Sequence, residues 1–381
     1  MKDEYSTMNS EGDVFVFPGK FPLDSDEYLY SPQVKYRTYG ALNEDKSNGF
    51  VVCHALTGNA ALDSWWGDML GPGRLFDTSK YFVICMNVLG SCYGTTGPTS
   101  VNPETSKVYG SSFPNVTIRD NCRLHLACVM QGLGVKHVVC VAGGSLGAMQ
   151  SLEFACLAPE NFVGSIIAMC AGTKHTAWQI GISECQRQAI YADPNWLGGS
   201  YLEQSLPAPL AGLGVARQMA MVTYRSAAAY TDKFGRKVDQ GEGSYEVETY
   251  LRYQGKRFTQ RFDPLSFVKI TQLMDSYDLQ RGRPSLNIKQ PVLIVSVSSD
   301  VLYPPADQKQ LHELIPHSEL HVIESDAGHD GFLLEQASVE QIGMAFLSKL
   351  TCKIALPLPQ DLELAATSKP WGIPIINSSK L

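Results

Sequence analysis

Residues 139–150, VCVAGGSLGAMQ, change character within a few positions. Residues typical of a buried strand come first, two glycines and a serine follow, and the remainder favours a helix. The segment therefore predicts a strand, a tight turn and a helix in direct succession. Its serine, Ser145, is either a small residue at the bend or a nucleophile raised for attack.

Similar short apolar runs recur along the chain, with amphipathic segments between them. Because these runs are continuous rather than alternating, we predict buried parallel strands at 49–54, 81–87, 138–141, 164–169 and 291–297. Strands that alternate with helices indicate an α/β fold with a doubly wound, mostly parallel sheet.

The strand-like apolar runs stop after Met169 and resume at Pro291. The stretch between them contains helix-like segments at 213–224 and 245–262. We interpret it as a helical lid inserted into a single α/β domain. The predicted organisation is a first core part at 1–172 that carries the serine turn, a lid at 173–288, a second core part at 289–350, and a C-terminal tail at 351–381.

The composition indicates a globular protein with a large core, since 44% of the 381 residues are hydrophobic and 18% are charged. The net charge of −7 includes no long run of one sign, which argues against nucleic acid and a membrane surface as partners. No apolar run approaches the roughly 20 residues of a membrane span, and the first residues contain no apolar segment typical of a secretion signal.

The ten cysteines lack any C-x-x-C pair, and the eight histidines lack zinc-ligand spacing. We predict reduced core cysteines, no metal and no bound cofactor.

Residues 143–147, GGSLG, fit G-x-S-x-G, the nucleophile elbow, in which small residues allow a strained turn to lift the serine above the sheet. The alternative is a glycine-rich turn of the dinucleotide-binding kind, although G-x-G-x-x-G is not present. A serine nucleophile needs an acid and a histidine, in the chain order serine, acid, histidine. Asp300 follows a predicted strand, and His329 lies in a loop before the last helical pattern. Ser145, Asp300 and His329 are therefore the predicted catalytic residues, with the backbone N–H groups of Leu56 and Leu146 as the predicted oxyanion hole.

With these residues in place, the chain from about 36 to 350 resembles the homoserine O-acetyltransferase family of the α/β-hydrolase superfamily. The resemblance is carried by ordered blocks that include CHALTG (53–58), GTTGPTSVNPET (94–105), GGSLGAMQSLEF (143–154), ARQMAMVTYRS (216–226) and AGHDGFLLE (327–335). It implies an α/β-hydrolase fold with a helical lid and a homodimer formed largely through lid helices.

The resemblance also implies a ping-pong reaction in which acetyl-CoA, as co-substrate, acylates Ser145 and an acceptor hydroxyl then takes the acyl group. It places Arg217 and Tyr224 on the carboxylate of the acceptor and Asp330 on its ammonium; the residues that bind CoA are not assigned. The acceptor is homoserine by default, or an amino-acid-bearing secondary metabolite. Leu146 and Ala148 depart from the family pattern GGSMGG, which leaves the choice of substrate open.

Two other functions compete with this one. A hydrolase that acts as an acyl-CoA thioesterase or an esterase would use the same three residues, with water as the acceptor. A silent binding module would lack one of them, and none is missing.

The last three residues, Ser379-Lys380-Leu381, match a tripeptide read by the peroxisomal import receptor, and the residues before them are rich in proline and serine. We therefore expect a peroxisomal location, with the cytoplasm as the alternative.

Overall fold

A computed structural model describes residues 11–241, 243–283, 285–286 and 288–351 of the chain. The tail that ends in Ser379-Lys380-Leu381 lies outside these residues, as does Cys352. The other nine cysteines form no disulfide, and six of them are buried as predicted, whereas Cys92 and Cys156 are partly buried and Cys185 is exposed.

The described residues form a mostly parallel sheet of eight strands, with the order β1-β4-β6-β5-β9-β10-β11-β12. Its strands are β1 (Asp13–Val16), β4 (Gln33–Tyr39), β5 (Gly49–Cys53), β6 (Phe82–Met86), β9 (Val138–Gly144), β10 (Ile166–Met169), β11 (Val292–Val297) and β12 (Glu319–Ile323). The pairs from β6 to β12 are all parallel. Two small antiparallel pairs lie outside this sheet: β2 (Lys20–Pro22) with β3 (Tyr28–Tyr30), and β7 (Val101–Asn102) with β8 (Lys107–Val108).

The five strands predicted from apolar runs form the centre of the sheet, and this confirms the predicted fold class. Their side chains alternate between two apolar clusters, so that Val51 and Ile294 pack on one face while Val52 and Val295 pack on the other.

The sequence did not reveal β1, β4 and β12, which lie at or near the edges of the sheet. The strands β1 and β4 are antiparallel to their neighbours, and both β1 and β12 expose several side chains. Because an edge strand is only partly buried, its residues need not form a continuous apolar run.

Five helices pack around the sheet as part of the core. They are α1 (Ile118–Ala127), α2 (Leu146–Leu157), α8 (Pro305–Leu314), α9 (Gly331–Leu334) and α10 (Gln336–Thr351). The helix α1 continues beyond Ala127 as a wider π turn over Cys128–Gly132. None of the helices in the described residues is long and apolar enough to cross a membrane.

Five further helices, the lid helices, lie between β10 and β11. They are α3 (Ala177–Tyr191), α4 (Leu210–Tyr224), α5 (Ala227–Phe234), α6 (Glu246–Thr259) and α7 (Pro264–Asp275). Glycines allow α4 to lie close to its neighbours, because a side chain at Gly212 would overlap the backbone of α3 and one at Gly255 would meet the carbonyl of Gly214. The predicted limits of the lid, 173–288, stay a prediction.

Candidate active site

Ser145 lies between β9 and α2 with φ 57° and ψ −123°, a strained backbone conformation for a residue with a side chain. The flanking glycines make this turn possible. A Cβ at Gly143 would overlap the backbone of Gly147, and a Cβ at Gly147 would overlap the carbonyl of Cys53. The sequence 139–150 therefore folds as the predicted strand, turn and helix, with Ser145 at the bend.

Asp300 and His329 are brought together at the carboxyl ends of β11 and β12. The Nδ1–H of His329 donates to Oδ2 of Asp300 at 2.7 Å, and both residues are only 3% exposed. The other oxygen of Asp300 accepts the amides of Leu302 and Tyr303, each at 2.8 Å. These three hydrogen bonds fix the carboxylate against the imidazole.

Aromatic rings surround the imidazole of His329. The ring centroids of Tyr303 and Phe332 lie 5.1 Å and 5.4 Å from that of His329. Phe332 also packs directly against Gly144, where a Cβ would overlap its ring. Because Gly144 directly precedes Ser145, Phe332 contacts both the turn that carries Ser145 and the imidazole of His329.

The thiol of Cys170 lies beside this pair, and ligand atoms of Cys170, Asp300 and His329 all fall within 4.8 Å of one another. Among the described residues, no other group of three such side chains has this spacing. The carboxylate and the imidazole are hydrogen-bonded to each other, and burial raises the pKa of the Cys170 thiol. The group therefore fits a neutral thiol beside an acid–histidine pair.

The loop of residues 54–58 follows β5 and contains Leu56, one of the two predicted oxyanion residues. We name it the oxyanion loop after that prediction. The carbonyl of Ala55 accepts hydrogen bonds from the amide of Gly58 at 2.9 Å and from Nδ1 of His54 at 2.8 Å. The Nε2 of His54 accepts the amide of Val88 at 3.1 Å, so the proton resides on Nδ1. Burial lowers the pKa of His54 to about 4, which keeps the imidazole neutral.

Leu146, the other predicted oxyanion residue, is the first residue of α2. The N–H of a first helical residue has no acceptor within its own helix. It therefore remains able to bind a developing negative charge beside Ser145.

Arg217 and Tyr224 lie on α4, where the lid covers the histidine. The guanidinium of Arg217 lies 5.5 Å from the ring centroid of Tyr224 and 5.1 Å from that of Phe258. The ring of Tyr224 lies 6.1 Å from the imidazole of His329. Among the described residues Arg217 forms no ion pair, and its polar contact is a long one of 3.5 Å to Oγ1 of Thr57. Desolvation lowers the pKa of Arg217, so an anion would stabilise this cation.

Asp330 is already paired within the protein, which the sequence did not indicate. Its Oδ2 lies 2.9 Å from Nε of Arg225, the residue after Tyr224. Burial raises the pKa of Asp330, while Arg225 acts in the opposite direction. The backbone of Arg225 also packs against Gly328, so the end of α4 and the histidine loop are in direct contact.

Sequence reasoning missed Arg225 and Arg261. The Nη1 of Arg261 donates to the carbonyl of Thr57 at 2.9 Å and to the hydroxyl of Tyr93 at 2.7 Å. No short motif marks either arginine, because their partners lie far away in the chain.

Comparisons with known proteins agree with this fold. A family model described as the α/β hydrolase fold matches residues 49–336. The homoserine O-acetyltransferase of Trichormus variabilis is 45% identical over 350 residues, which cover 91% of this chain and 96% of that protein.

Two solved structures are similar in fold. A homoserine O-acetyltransferase from Bacillus anthracis has a TM-score of 0.80 at 25% identity and covers 88% of this chain and 97% of its own. Esterase E22 has a TM-score of 0.79 at 26% identity and covers 88% of this chain and 99% of its own.

Proposed function

The chain belongs to the homoserine O-acetyltransferase family of the α/β-hydrolase fold and is an acyltransferase, and on this premise we propose that it transfers an acetyl group from acetyl-CoA to the hydroxyl of homoserine. The observation that carries the choice of acceptor is the guanidinium of Arg217, which lies beside Tyr224 on the inner side of the lid and forms no ion pair with any of the described residues. A buried cation of this kind fits the carboxylate of an amino acid.

In the first half-reaction the hydroxyl of Ser145 attacks the thioester carbonyl, and Nε2 of His329 accepts its proton. The N–H groups of Leu56 and Leu146 stabilise the oxyanion. The C–S bond then breaks, the proton passes from His329 to the departing thiolate of CoA, and Ser145 retains the acetyl group. Asp300 supports the cationic imidazole, to which it is hydrogen-bonded at 2.7 Å.

In the second half-reaction the acceptor hydroxyl attacks the acetyl-serine while His329 accepts its proton. The same N–H groups stabilise the second oxyanion. Its collapse releases the ester, and His329 returns the proton to Ser145.

The two ends of the acceptor are recognised by opposite charges under this proposal. Arg217 and Tyr224 bind the carboxylate, and Asp330 binds the ammonium. Asp330 can do so while paired with Arg225, because that ion pair uses Oδ2 and Oδ1 would meet the ammonium. The acceptor ammonium therefore approaches a carboxylate that is already oriented.

Hydrolysis is the second candidate, and the similarity to esterase E22 favours it, since the two chains share a fold at 26% identity. Both reactions would pass through the same acetyl-serine. The charged groups of Arg217, in the lid, and of Asp330, beside His329, favour transfer, because water needs neither.

Purified protein with acetyl-CoA and homoserine decides between the two. We expect CoA release that depends on homoserine and yields O-acetylhomoserine, and no reaction from Ser145→Ala. CoA release at the same rate without homoserine, with acetate as the product, would support the hydrolase. Parallel assays with succinyl-CoA and with other hydroxylated amino acids define the donor and the acceptor.

We also propose that the protein forms a homodimer through α4. Val215, Met219 and Val222 follow one another at helical spacing and are 43%, 37% and 52% exposed. An apolar stripe on an exposed helix face is typical of an interaction surface.

A further inference from the structure

We infer that Arg261 is a positioning residue that holds the oxyanion loop from the lid side. The inference rests on the proposed function of this loop. It concerns the two hydrogen bonds that connect the end of α6 to two loops of the core.

The guanidinium of Arg261 reaches out of the lid into the core. Its Nη1 donates to the carbonyl of Thr57 at 2.9 Å and to the hydroxyl of Tyr93 at 2.7 Å. Thr57 directly follows Leu56, whose N–H is the proposed oxyanion donor. The arginine therefore fixes the Thr57–Gly58 peptide unit, whose N–H donates to the carbonyl of the Ala55–Leu56 unit that would bind the oxyanion.

The core fixes the Ala55–Leu56 peptide unit from the other side. The carbonyl of Ala55 accepts hydrogen bonds from His54 and Gly58 at 2.8 Å and 2.9 Å. Because a peptide unit is planar, holding the carbonyl of Ala55 also sets the direction of the N–H of Leu56. Arg261 thus holds the Thr57–Gly58 unit, and the N–H of that unit together with His54 holds the carbonyl of the Ala55–Leu56 unit.

An arginine suits this position better than a lysine. Its planar guanidinium lies 4.9 Å from the ring centroid of Phe258 while it donates to two acceptors. An ammonium group is compact and cannot reproduce the stacked geometry. Lysine at this position is therefore expected to restore only part of the function.

Arg217 and Arg261 lie at the same end of the lid but have different proposed roles. Both guanidinium groups lie near the ring of Phe258, but only Arg261 makes a short hydrogen bond to Thr57. The contact of Arg217 to Oγ1 of Thr57 is 3.5 Å, which is too long for a strong hydrogen bond. Arg217 can thus turn its donors to the acceptor, while Arg261 uses its donors on the loop.

An oxyanion forms in each half-reaction, so a looser loop must slow both. Removal of one oxyanion donor costs about a hundredfold to a thousandfold in rate in well-studied cases. Because Arg261 acts through the loop, we expect a smaller loss of about tenfold to a hundredfold for Arg261→Met. The KM values for both substrates should stay within about twofold of wild type, since ground-state binding is not affected.

The experiment measures the two half-reactions separately on the full chain. Rapid mixing with acetyl-CoA gives acylation from CoA release, and rapid mixing of the acetyl-enzyme with homoserine gives transfer. Hydrolysis of p-nitrophenyl acetate is a third readout, which needs neither CoA nor an amino-acid acceptor. Arg257→Met is the matched control, because Arg257 is an exposed arginine of α6.

The inference holds if Arg261→Met slows all three reactions by a similar factor, Arg261→Lys recovers part of the loss, and Arg257→Met behaves as wild type. Unchanged rates in Arg261→Met would overturn it, and so would a higher KM for homoserine with normal acylation.

If Arg261→Met does not fold, Arg261→Lys decides: slower ester hydrolysis at unchanged KM supports the inference, and a wild-type rate refutes it. Failure of the proposed function looks different, because the wild type would then cleave the ester without acetylating homoserine.

Discussion

The carboxylate of Asp300 accepts a hydrogen bond from the imidazole of His329 across 2.7 Å, in a region where both residues are only 3% exposed. Because the second oxygen of Asp300 is occupied by two backbone amides, the carboxylate cannot rotate away. The acid therefore fixes which nitrogen of His329 carries the proton and leaves Nε2 as the proposed base.

Asp300→Asn should lower kcat by about ten-thousand-fold, because an amide in this position favours the wrong tautomer of His329. Steady-state turnover with acetyl-CoA and homoserine measures the loss, and the melting temperature shows that the fold persists. The control is Asp232→Asn, an exposed position of α5, which should keep full activity. A loss of less than tenfold in Asp300→Asn would remove Asp300 from the proposed mechanism.

Arg217→Ala should raise the KM for homoserine by about tenfold to a hundredfold, as expected for the loss of a charge-assisted hydrogen bond of about 1.5–3 kcal/mol. Acylation by acetyl-CoA should change little, since the guanidinium acts on the acceptor. Gln218→Ala, the next position on α4, is the control. Equal losses in both half-reactions would contradict this division of roles.

The affinity for the acceptor should depend on pH through Asp330. Burial raises the pKa of this carboxyl group, and Arg225 acts against that rise. Because the ammonium binds the ionised form, affinity is full above the raised pKa and is lost as the pH falls through it. The KM for homoserine, measured from about pH 5 to about pH 9, should increase on the acid side. Asp330→Asn should abolish that dependence, and a dependence that persists in this variant would exclude Asp330.

The fold should lose stability in mild acid because of two buried imidazoles. Burial lowers the pKa values of His54 and His125 to about 4. The unfolded chain therefore binds more protons as the pH falls below about 6.5, so the stabilisation is complete above that value and declines towards about pH 4. Urea unfolding at several pH values measures the slope. His125→Gln should flatten it and the exposed His317→Gln should not; an unchanged slope in His125→Gln would contradict the assignment.

Met219→Glu should convert the proposed homodimer into a monomer, because it places a charge in the apolar stripe of α4. Light scattering after size-exclusion chromatography gives the mass directly. Gln204→Glu adds a charge at another exposed lid position and should not change the mass. A monomeric wild-type protein would refute the proposed interface outright.

The sequence alone was sufficient for the centre of the fold and for the turn at Ser145. Buried strands of a parallel sheet need continuous apolar runs, and a nucleophile elbow needs small residues at fixed offsets, so both leave a local pattern. The order serine, acid, histidine likewise singled out Asp300 and His329 before their contact was known. The strands at or near the sheet edges, β1, β4 and β12, were not predicted, because partly exposed strands need no such pattern.

Only the tertiary structure decided which side chains meet. The sequence showed no partner for the carboxylate of Asp330, and the fold places Arg225 beside it. The fold also brings Arg261 to the carbonyl of Thr57, a contact that the sequence did not indicate. These partners are separated by 105 and 204 positions in the chain. Hydrogen bonds and ion pairs depend on distances of a few ångströms, and spacing along a sequence does not set those distances once segments so far apart are folded against each other.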